Sequence, residues 1–431
     1  MSSALSMLGG AGQRLVPLRV PLRFFGSALG FYVASWILIG WGALQDDGLR
    51  AGLGLALAAL HALTLGVMLS TVMGASLQIL PVATGATAWT GAGPAWLWAA
   101  HTGGVIALCA GLATGHPRVL ALGAAVTLGA ALSFVAVLVR LLVRARHGGV
   151  LLAPTATALV SLVLALVMAA SLVAAYLGWG VWPRAQALGL HVLFAAWGFM
   201  ALLIAGFSQV LLPLFCLGDA PAQRSSRGFI GLAWVALLSA SVALAVQWST
   251  GLALAAALGL AAIGVHAQGL WRSWQSGLRR KGDAGLFVLV AGWIGVALSL
   301  AATGLEAVFP ASVAPPVIAA LLVGGLVSAV LGVLTRILPF LISMHRGVRR
   351  SAPVGVVAQR ALRNFALAQG LAWSLVLVAA FGAPAQTLLG AALAGLAACA
   401  AFIRFGLLHV LTLRVSAQPR VAAEVLPVKR N

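Results

Sequence analysis

Two histidines stand at the heads of similar apolar stretches. His61 begins the stretch that ends at Pro81, and His191 begins a second one that passes Gln209 and ends at Pro213. A neutral imidazole can give one nitrogen lone pair to a metal ion while its other nitrogen donates to a carbonyl or hydroxyl group. Two imidazoles at similar depth therefore predict a site for one iron or copper ion, with His61 and His191 as ligands. The alternative is a pair of hydrogen-bonded histidines that tie helices together.

A fainter third copy of the stretch runs from Gly324 to Pro339 and has no histidine at its head. The three final prolines are separated by 213 − 81 = 132 and 339 − 213 = 126 residues. A period of roughly 130 residues holds about four membrane helices with their loops. The repeated helix of each unit should therefore face one central axis, and any chemistry should lie there.

Three methionines on the first two copies, Met68, Met73 and Met200, have soft thioether groups that suit haem iron or copper(I). Packing in the core is the more frequent role of methionine, and we expect it for all three.

Polar residues recur near the end of each copy. Gln78 and Gln209 occupy this position in the first two copies, and Arg336 occupies it in the third. A glycine lies about one turn earlier in each copy: Gly74, Gly206 and Gly332. We expect the glycines to let helices approach closely and the amides to satisfy carbonyl groups freed by the following proline.

The six remaining histidines are expected to have structural or solvated roles. His116, His147 and His345 are assigned to loops, His266 and His409 to inner helix ends, and His101 to a shallow position in the third helix.

The composition indicates an integral membrane protein. Of its 431 residues, 62% are hydrophobic and only 7% are charged, whereas about a quarter are charged in soluble proteins. Its net charge of +20 is explained by arginine-rich cytoplasmic loops, so nucleic acid is not an expected partner. The three cysteines, at positions 109, 216 and 399, lack the spacing of a disulfide framework or a thiolate metal site.

Twelve apolar stretches have the length of a membrane-spanning helix. They lie near 24–44, 51–74, 96–114, 119–143, 151–177, 187–213, 229–248, 252–272, 285–304, 316–341, 361–382 and 386–412. The sequence thus predicts an all-α membrane protein with twelve transmembrane helices in a pseudo-threefold repeat of four-helix units. The whole chain, 1–431, is interpreted as one polytopic domain, with repeats near 24–143, 151–272 and 285–412 and a basic cytoplasmic tail at 413–431.

Basic residues fall mainly on one side of this arrangement. Three arginines, at 50, 118 and 184, are assigned to the odd-numbered loops, against 26 − 3 = 23 other basic residues. The positive-inside rule then places both termini in the cytoplasm.

Acidic residues are absent from the predicted spans. Proton-coupled transporters usually carry such groups within the membrane, so their absence argues against that class. No catalytic residue is assigned, because the sequence has no P-loop, H-E-x-x-H motif or nucleophile paired with a base.

The twelve spans, the threefold repeat and the histidines on the second and sixth helices resemble subunit I of the haem-copper oxidase superfamily. The phrases Pro21-Leu-Arg-Phe-Phe25, His61-Ala-Leu-Thr-Leu-Gly66 and Gln78-Ile-Leu-Pro-Val82 look more like its non-oxidase relatives, the NnrS-like membrane proteins of bacteria. Under this resemblance, His61 corresponds to a haem ligand and His191 to a copper ligand. The histidines that the superfamily has on the seventh and tenth helices are missing from the spans predicted here.

The resemblance implies haem b or copper held by His61 and His191, without reduction of oxygen to water. It also implies a role in electron transfer, sensing, nitric-oxide defence or metal handling, with membrane lipid and a redox protein as partners. Two alternatives remain: a small-molecule or metal permease without a cofactor, and an assembly subunit that keeps only the fold.

Overall fold

The fold is a bundle of membrane-spanning helices. A computed structural model describes residues 15–45, 48–49, 52–147, 149–180, 182–278, 282–345 and 356–416. It is 85% helical and has no strand among these residues. Twelve helices are long and apolar enough to cross a membrane, which confirms the predicted all-α class and the number of spans.

The spanning helices are named α1 to α12 in chain order. Their bounds are α1 Arg19–Leu44, α2 Leu55–Thr84, α3 Gly93–Thr114, α4 Pro117–Val143, α5 Gly149–Tyr176, α6 Arg184–Cys216, α7 Gln223–Ala245, α8 Ser249–Gln275, α9 Ala284–Val308, α10 Pro315–Ile342, α11 Val356–Ala380 and α12 Gln386–His409. In two cases the α-helix is longer than the membrane-spanning segment: α10 continues to His345 and α12 continues to Ser416.

Each copy of the repeated stretch closes with a leucine and a proline, and the expectation that its helix ends there is wrong. Pro81, Pro213 and Pro339 all lie inside α-helix, and α2 and α6 each continue for three residues beyond the proline. Proline removes one backbone donor, and neighbouring helices in a membrane bundle can accommodate that loss. The second span therefore reaches ten residues beyond its predicted end at residue 74.

Helices α2, α6 and α10 form the centre of the bundle. Within their most hydrophobic windows, 61%, 78% and 67% of residues are buried, against 28–44% in the other nine helices. Helix α10 contacts both α2 and α6. This arrangement confirms that the repeated helix of each unit faces a common axis.

The outer helices close a ring around this centre. The last helix of each unit packs against the first helix of the next, in the pairs α4 with α5, α8 with α9, and α12 with α1. Within each unit, the first helix packs on the central one, and the third and fourth helices pack on each other. The contacts thus follow the predicted pseudo-threefold pattern.

Glycines allow a close approach between the first and second helix of each unit. A Cβ added at Gly74 would lie 2.9 Å from Phe24 Cβ, at Gly206 3.0 Å from Pro154 Cβ, and at Gly332 2.6 Å from the Leu289 amide nitrogen. Because Cβ atoms do not approach other atoms so closely, the expected packing role of these three glycines is confirmed.

Several expectations concern residues outside the described ranges. These are Arg50, the basic groups 279–281 and 346–350, and the tail from residue 417 onward.

Candidate functional site

Each of the two histidines stands where a central helix changes its winding. His61 is the last residue of an α-helical opening, Leu55–His61, and the π-helix Ala62–Leu69 follows it. His191 is the last residue but one of the opening Arg184–Val192, and the π-helix Leu193–Ala201 follows. π-Helical segments are rare and often mark functional sites.

The third central helix lacks both features. Residues Pro315–His345 of α10 form a continuous α-helix, and the only histidine on it is the last residue. The two π-helical segments therefore occur only in the two central helices that carry these histidines, and they are not a general property of the repeat.

Each imidazole is held through its Nδ1 atom. His61 Nδ1 lies 2.9 Å from the Leu57 carbonyl oxygen, and His191 Nδ1 lies 3.0 Å from the Ala165 carbonyl oxygen of α5. A carbonyl oxygen can only accept, so Nδ1 carries the hydrogen and Nε2 carries the lone pair. No described residue makes a hydrogen bond to Nε2 of His61 or His191.

The two imidazoles are close enough to affect each other. A positive charge on the His191 ring would disfavour a positive charge on the His61 ring, and both side chains are half-buried. Helix α10 contacts the π-helical segment that follows each of them. The two residues that the repeat singles out thus lie next to corresponding segments of two central helices.

This donor set fits a metal centre that takes two protein ligands. Among the described residues, no group of three or more histidine, cysteine, aspartate or glutamate side chains could hold a metal ion. Neutral imidazoles fixed by carbonyl groups are ligands of the type that haem iron or copper(I) takes. The N–H···O bond on each ring would set its tautomer and orientation before any metal arrives.

The three methionines pack in the central core. Met68, Met73 and Met200 are at most 3% exposed and belong to the main hydrophobic cluster. Met68 and Met200 occupy equivalent places, since 81 − 68 = 13 and 213 − 200 = 13. Both lie in the π-helical segments, which follow the histidines in the sequence.

His101 is a structural residue that its sequence position did not reveal. Its side chain is 0% exposed. Its Nε2 atom lies 3.1 Å from both the Leu65 carbonyl oxygen and the Ser70 hydroxyl oxygen. These two contacts join α3 to the π-helical segment of α2 and to the residue that directly follows it. Nothing in the sequence marks this contact, because it joins residues of different helices.

Three other histidines also differ from expectation. His266 and His409 are buried, so their assignment to solvated helix ends is wrong. His266 lies between Phe229 and Trp293, with ring centroids 4.9 and 5.3 Å away. His345 ends a helix instead of lying in a loop, and its Nδ1 and Nε2 atoms contact the carbonyl oxygens of Leu341 and Val16.

The polar residues near the prolines do not satisfy carbonyl groups, so that part of the expectation is wrong. Neither amide atom of Gln78 has a hydrogen-bond partner among the described residues. Gln209 Oε1 accepts from the Ser226 hydroxyl group at 2.5 Å, while its Nε2 atom has no such partner. Arg336 forms an ion pair with Asp283, with 3.0 Å between the charged atoms.

The cysteines are free, as the sequence predicts: Cys216 and Cys399 are buried and Cys109 is half-buried. Comparison with known proteins adds no assignment to this geometry. The chain matches no protein-family model, and no curated protein sequence is significantly similar to it.

Proposed function

We propose that the chain is a metal-binding membrane protein in which His61 and His191 together hold one haem iron or one copper ion. The observation that carries this proposal is the state of the two rings. Each donates Nδ1–H to a backbone carbonyl group, each has an Nε2 atom without a described partner, and each lies just before a π-helical segment of a central helix. His345, by contrast, uses both of its ring nitrogens to contact backbone carbonyl groups.

The residues of the chain would bind and orient the metal. The Leu57 and Ala165 carbonyl groups keep both rings in the tautomer that ligates through Nε2. The surrounding apolar helices would exclude water and ions from the site. When bound, haem iron or copper would supply one-electron chemistry or binding of a small gas molecule.

A relationship to the non-oxidase, NnrS-like branch of the haem-copper oxidase superfamily is part of the proposal. Twelve helices in three units, with histidines on α2 and α6, support it. Helix α7 has no histidine, and His345 on α10 contacts carbonyl groups through both ring nitrogens. The proposed role is therefore electron transfer or nitric-oxide and redox stress, not oxygen reduction, with a redox protein as partner.

The proposed location is the inner membrane of a bacterium, with both termini in the cytoplasm. Among the described residues, arginines follow α4 at positions 144 and 146, whereas the opposite ends of the helices carry only Arg118 and Arg184. Excess positive charge marks the cytoplasmic side.

The test is a visible spectrum and an elemental analysis of the full-length protein purified after growth with ample haem and copper. We expect bound haem, seen as a Soret band, or bound copper. His61→Ala and His191→Ala should each lower occupancy by roughly tenfold or more, because each removes one of two ligands. His409→Ala is the matched control, since His409 Nδ1 also contacts the carbonyl group four residues earlier, at 3.0 Å.

Folded wild-type protein with neither a Soret band nor bound copper or iron would overturn the proposal and favour the permease. Equal losses in His409→Ala and in the two site variants would show a general effect on folding instead of loss of a ligand.

A further inference from the structure

A cavity lies where the three central helices end. It has a volume of about 90 Å³. Residues of all three helices line it, including Gln78 of α2, Gln209 of α6 and Phe340 near the C-terminal end of α10. Neither His61 nor His191 belongs to its lining, so it is separate from the proposed metal site.

The wall of this cavity has one kind of strong hydrogen-bonding side chain. Gln78 and Gln209 are carboxamides, and the other lining residues are apolar or glycine. Gln78 is 1% exposed and Gln209 is 2% exposed. Both Gln78 amide atoms and Gln209 Nε2 are buried without a described partner.

Such groups are costly to leave unpaired. A buried polar atom without a hydrogen bond loses about 1–3 kcal/mol relative to a paired one. Water could pair with these three amide atoms, but the rest of the cavity wall is apolar and offers it no further side-chain contact. A ligand that brings its own hydrogen-bonding atoms to two separate helices would satisfy both amides.

The lining also limits the charge and size of that ligand. No charged residue lines the cavity, so an ion would be buried without a counter-charge. The volume of about 90 Å³ is well above the roughly 10–15 Å³ that one water molecule needs, so the cavity has room for a larger group. A single ring with its exocyclic oxygens is such a group. A lipid acyl chain would fill the space but would leave both carboxamides unpaired.

We propose that this cavity binds the headgroup of a quinone or quinol, with the Gln78 and Gln209 carboxamides hydrogen-bonded to oxygens on the ring. Amide N–H groups donate to quinone carbonyl oxygens, and amide oxygens accept from quinol hydroxyl groups. The ligand is neutral and soluble in the membrane, which suits an apolar cavity at the end of membrane-spanning helices.

The experiment uses the full-length protein in lipid nanodiscs and a radiolabelled short-chain ubiquinone analogue. We expect saturable binding by the wild type. Gln78→Leu and Gln209→Leu should each weaken it by roughly fivefold to tenfold, the effect of one lost hydrogen bond. Gln268→Leu is the matched control, because Gln268 is exposed on α8 and does not line the cavity.

A second variant fills the cavity without removing an amide. Ala83 lines the cavity, and Ala83→Phe should abolish quinone binding. His61→Ala should bind quinone as the wild type does, so this result is independent of the metal site.

Three outcomes would overturn the proposal. They are no saturable binding by folded wild type, unchanged affinity in the double variant of Gln78 and Gln209, and equal competition by an alkylbenzene that lacks ring oxygens. The last outcome would identify a hydrocarbon site that takes acyl chains.

Discussion

The histidines of this protein differ in what their ring nitrogens contact. His345 contacts carbonyl oxygens through both nitrogens, and His101 contacts α2 through Nε2 while its Nδ1 atom has no described partner. His191 contacts α5 and His61 contacts its own helix through Nδ1, and neither Nε2 atom has a described partner. A residue type and its depth in the membrane do not distinguish these cases, because both kinds are buried or half-buried.

His101→Leu should destabilise the protein. The substitution leaves the Leu65 carbonyl group and the Ser70 hydroxyl group without their contacts to the imidazole. The expected loss in the free energy of unfolding is about 1–3 kcal/mol, measured by denaturant or thermal unfolding in detergent. His116→Leu is the control. His116 is exposed and its side chain makes no capping bond at α4, so its change should stay within about 0.5 kcal/mol. Equal stability of the two variants would contradict this role for His101.

At the scale of the helices, glycines occur at equivalent positions in all three repeats, whereas histidines occur in only two of them. Gly66, Gly198 and Gly324 all lie 15 residues before their prolines, since 81 − 66, 213 − 198 and 339 − 324 are equal. A Cβ at each would lie less than 3.0 Å from a neighbouring helix: 2.3 Å from Phe31, 2.5 Å from Ser161 and 2.7 Å from Trp373. Helix packing, and not a shared ligand position, is therefore the property common to all three units.

The sequence predicts the helices well but not their winding. Long apolar stretches identify all twelve spans, because length and hydropathy decide membrane insertion. The π-helical segments Ala62–Leu69 and Leu193–Ala201 have no distinctive composition. Their winding depends on contacts with neighbouring helices, such as the one from His101 to the Leu65 carbonyl group. The same dependence explains why the ion pair of Arg336 with Asp283 could not be predicted.

Gly332→Ala should separate α9 from α10. The new methyl group would lie 2.6 Å from the Leu289 amide nitrogen, and a backbone atom cannot move aside without the helix. We expect a loss of about 1–3 kcal/mol in the free energy of unfolding. Gly370→Ala on α11 is the matched control, because no atom lies within 4 Å of its Cβ position. A stability loss in Gly370→Ala as large as in Gly332→Ala would show that the loss of glycine itself, and not the contact, is responsible.

At the scale of the whole molecule, the threefold arrangement places the two proposed sites along the central helices. The histidines lie near the start of α2 and α6, and the cavity with Gln78 and Gln209 lies near the end of the same helices. The convergence of the central helices could be predicted from the spacing of the prolines. The cavity could not, because it results from how three helix ends and their connecting segments pack.

The direction of this axis across the membrane can be tested with two exposed loop positions. His147 follows α4 on the arginine-rich side, and His116 lies between α3 and α4 on the opposite side. Single cysteines would be introduced as His147→Cys and His116→Cys, with the three native cysteines replaced by alanine. In intact spheroplasts, a membrane-impermeant maleimide should label the cysteine at position 116 and not the one at position 147, because the positive side faces the cytoplasm. After lysis, both should react, which controls for accessibility. Labelling at position 147 before lysis would reverse the orientation, so that the proposed quinone site, near the C-terminal ends of α2 and α6, would face the outside of the cell.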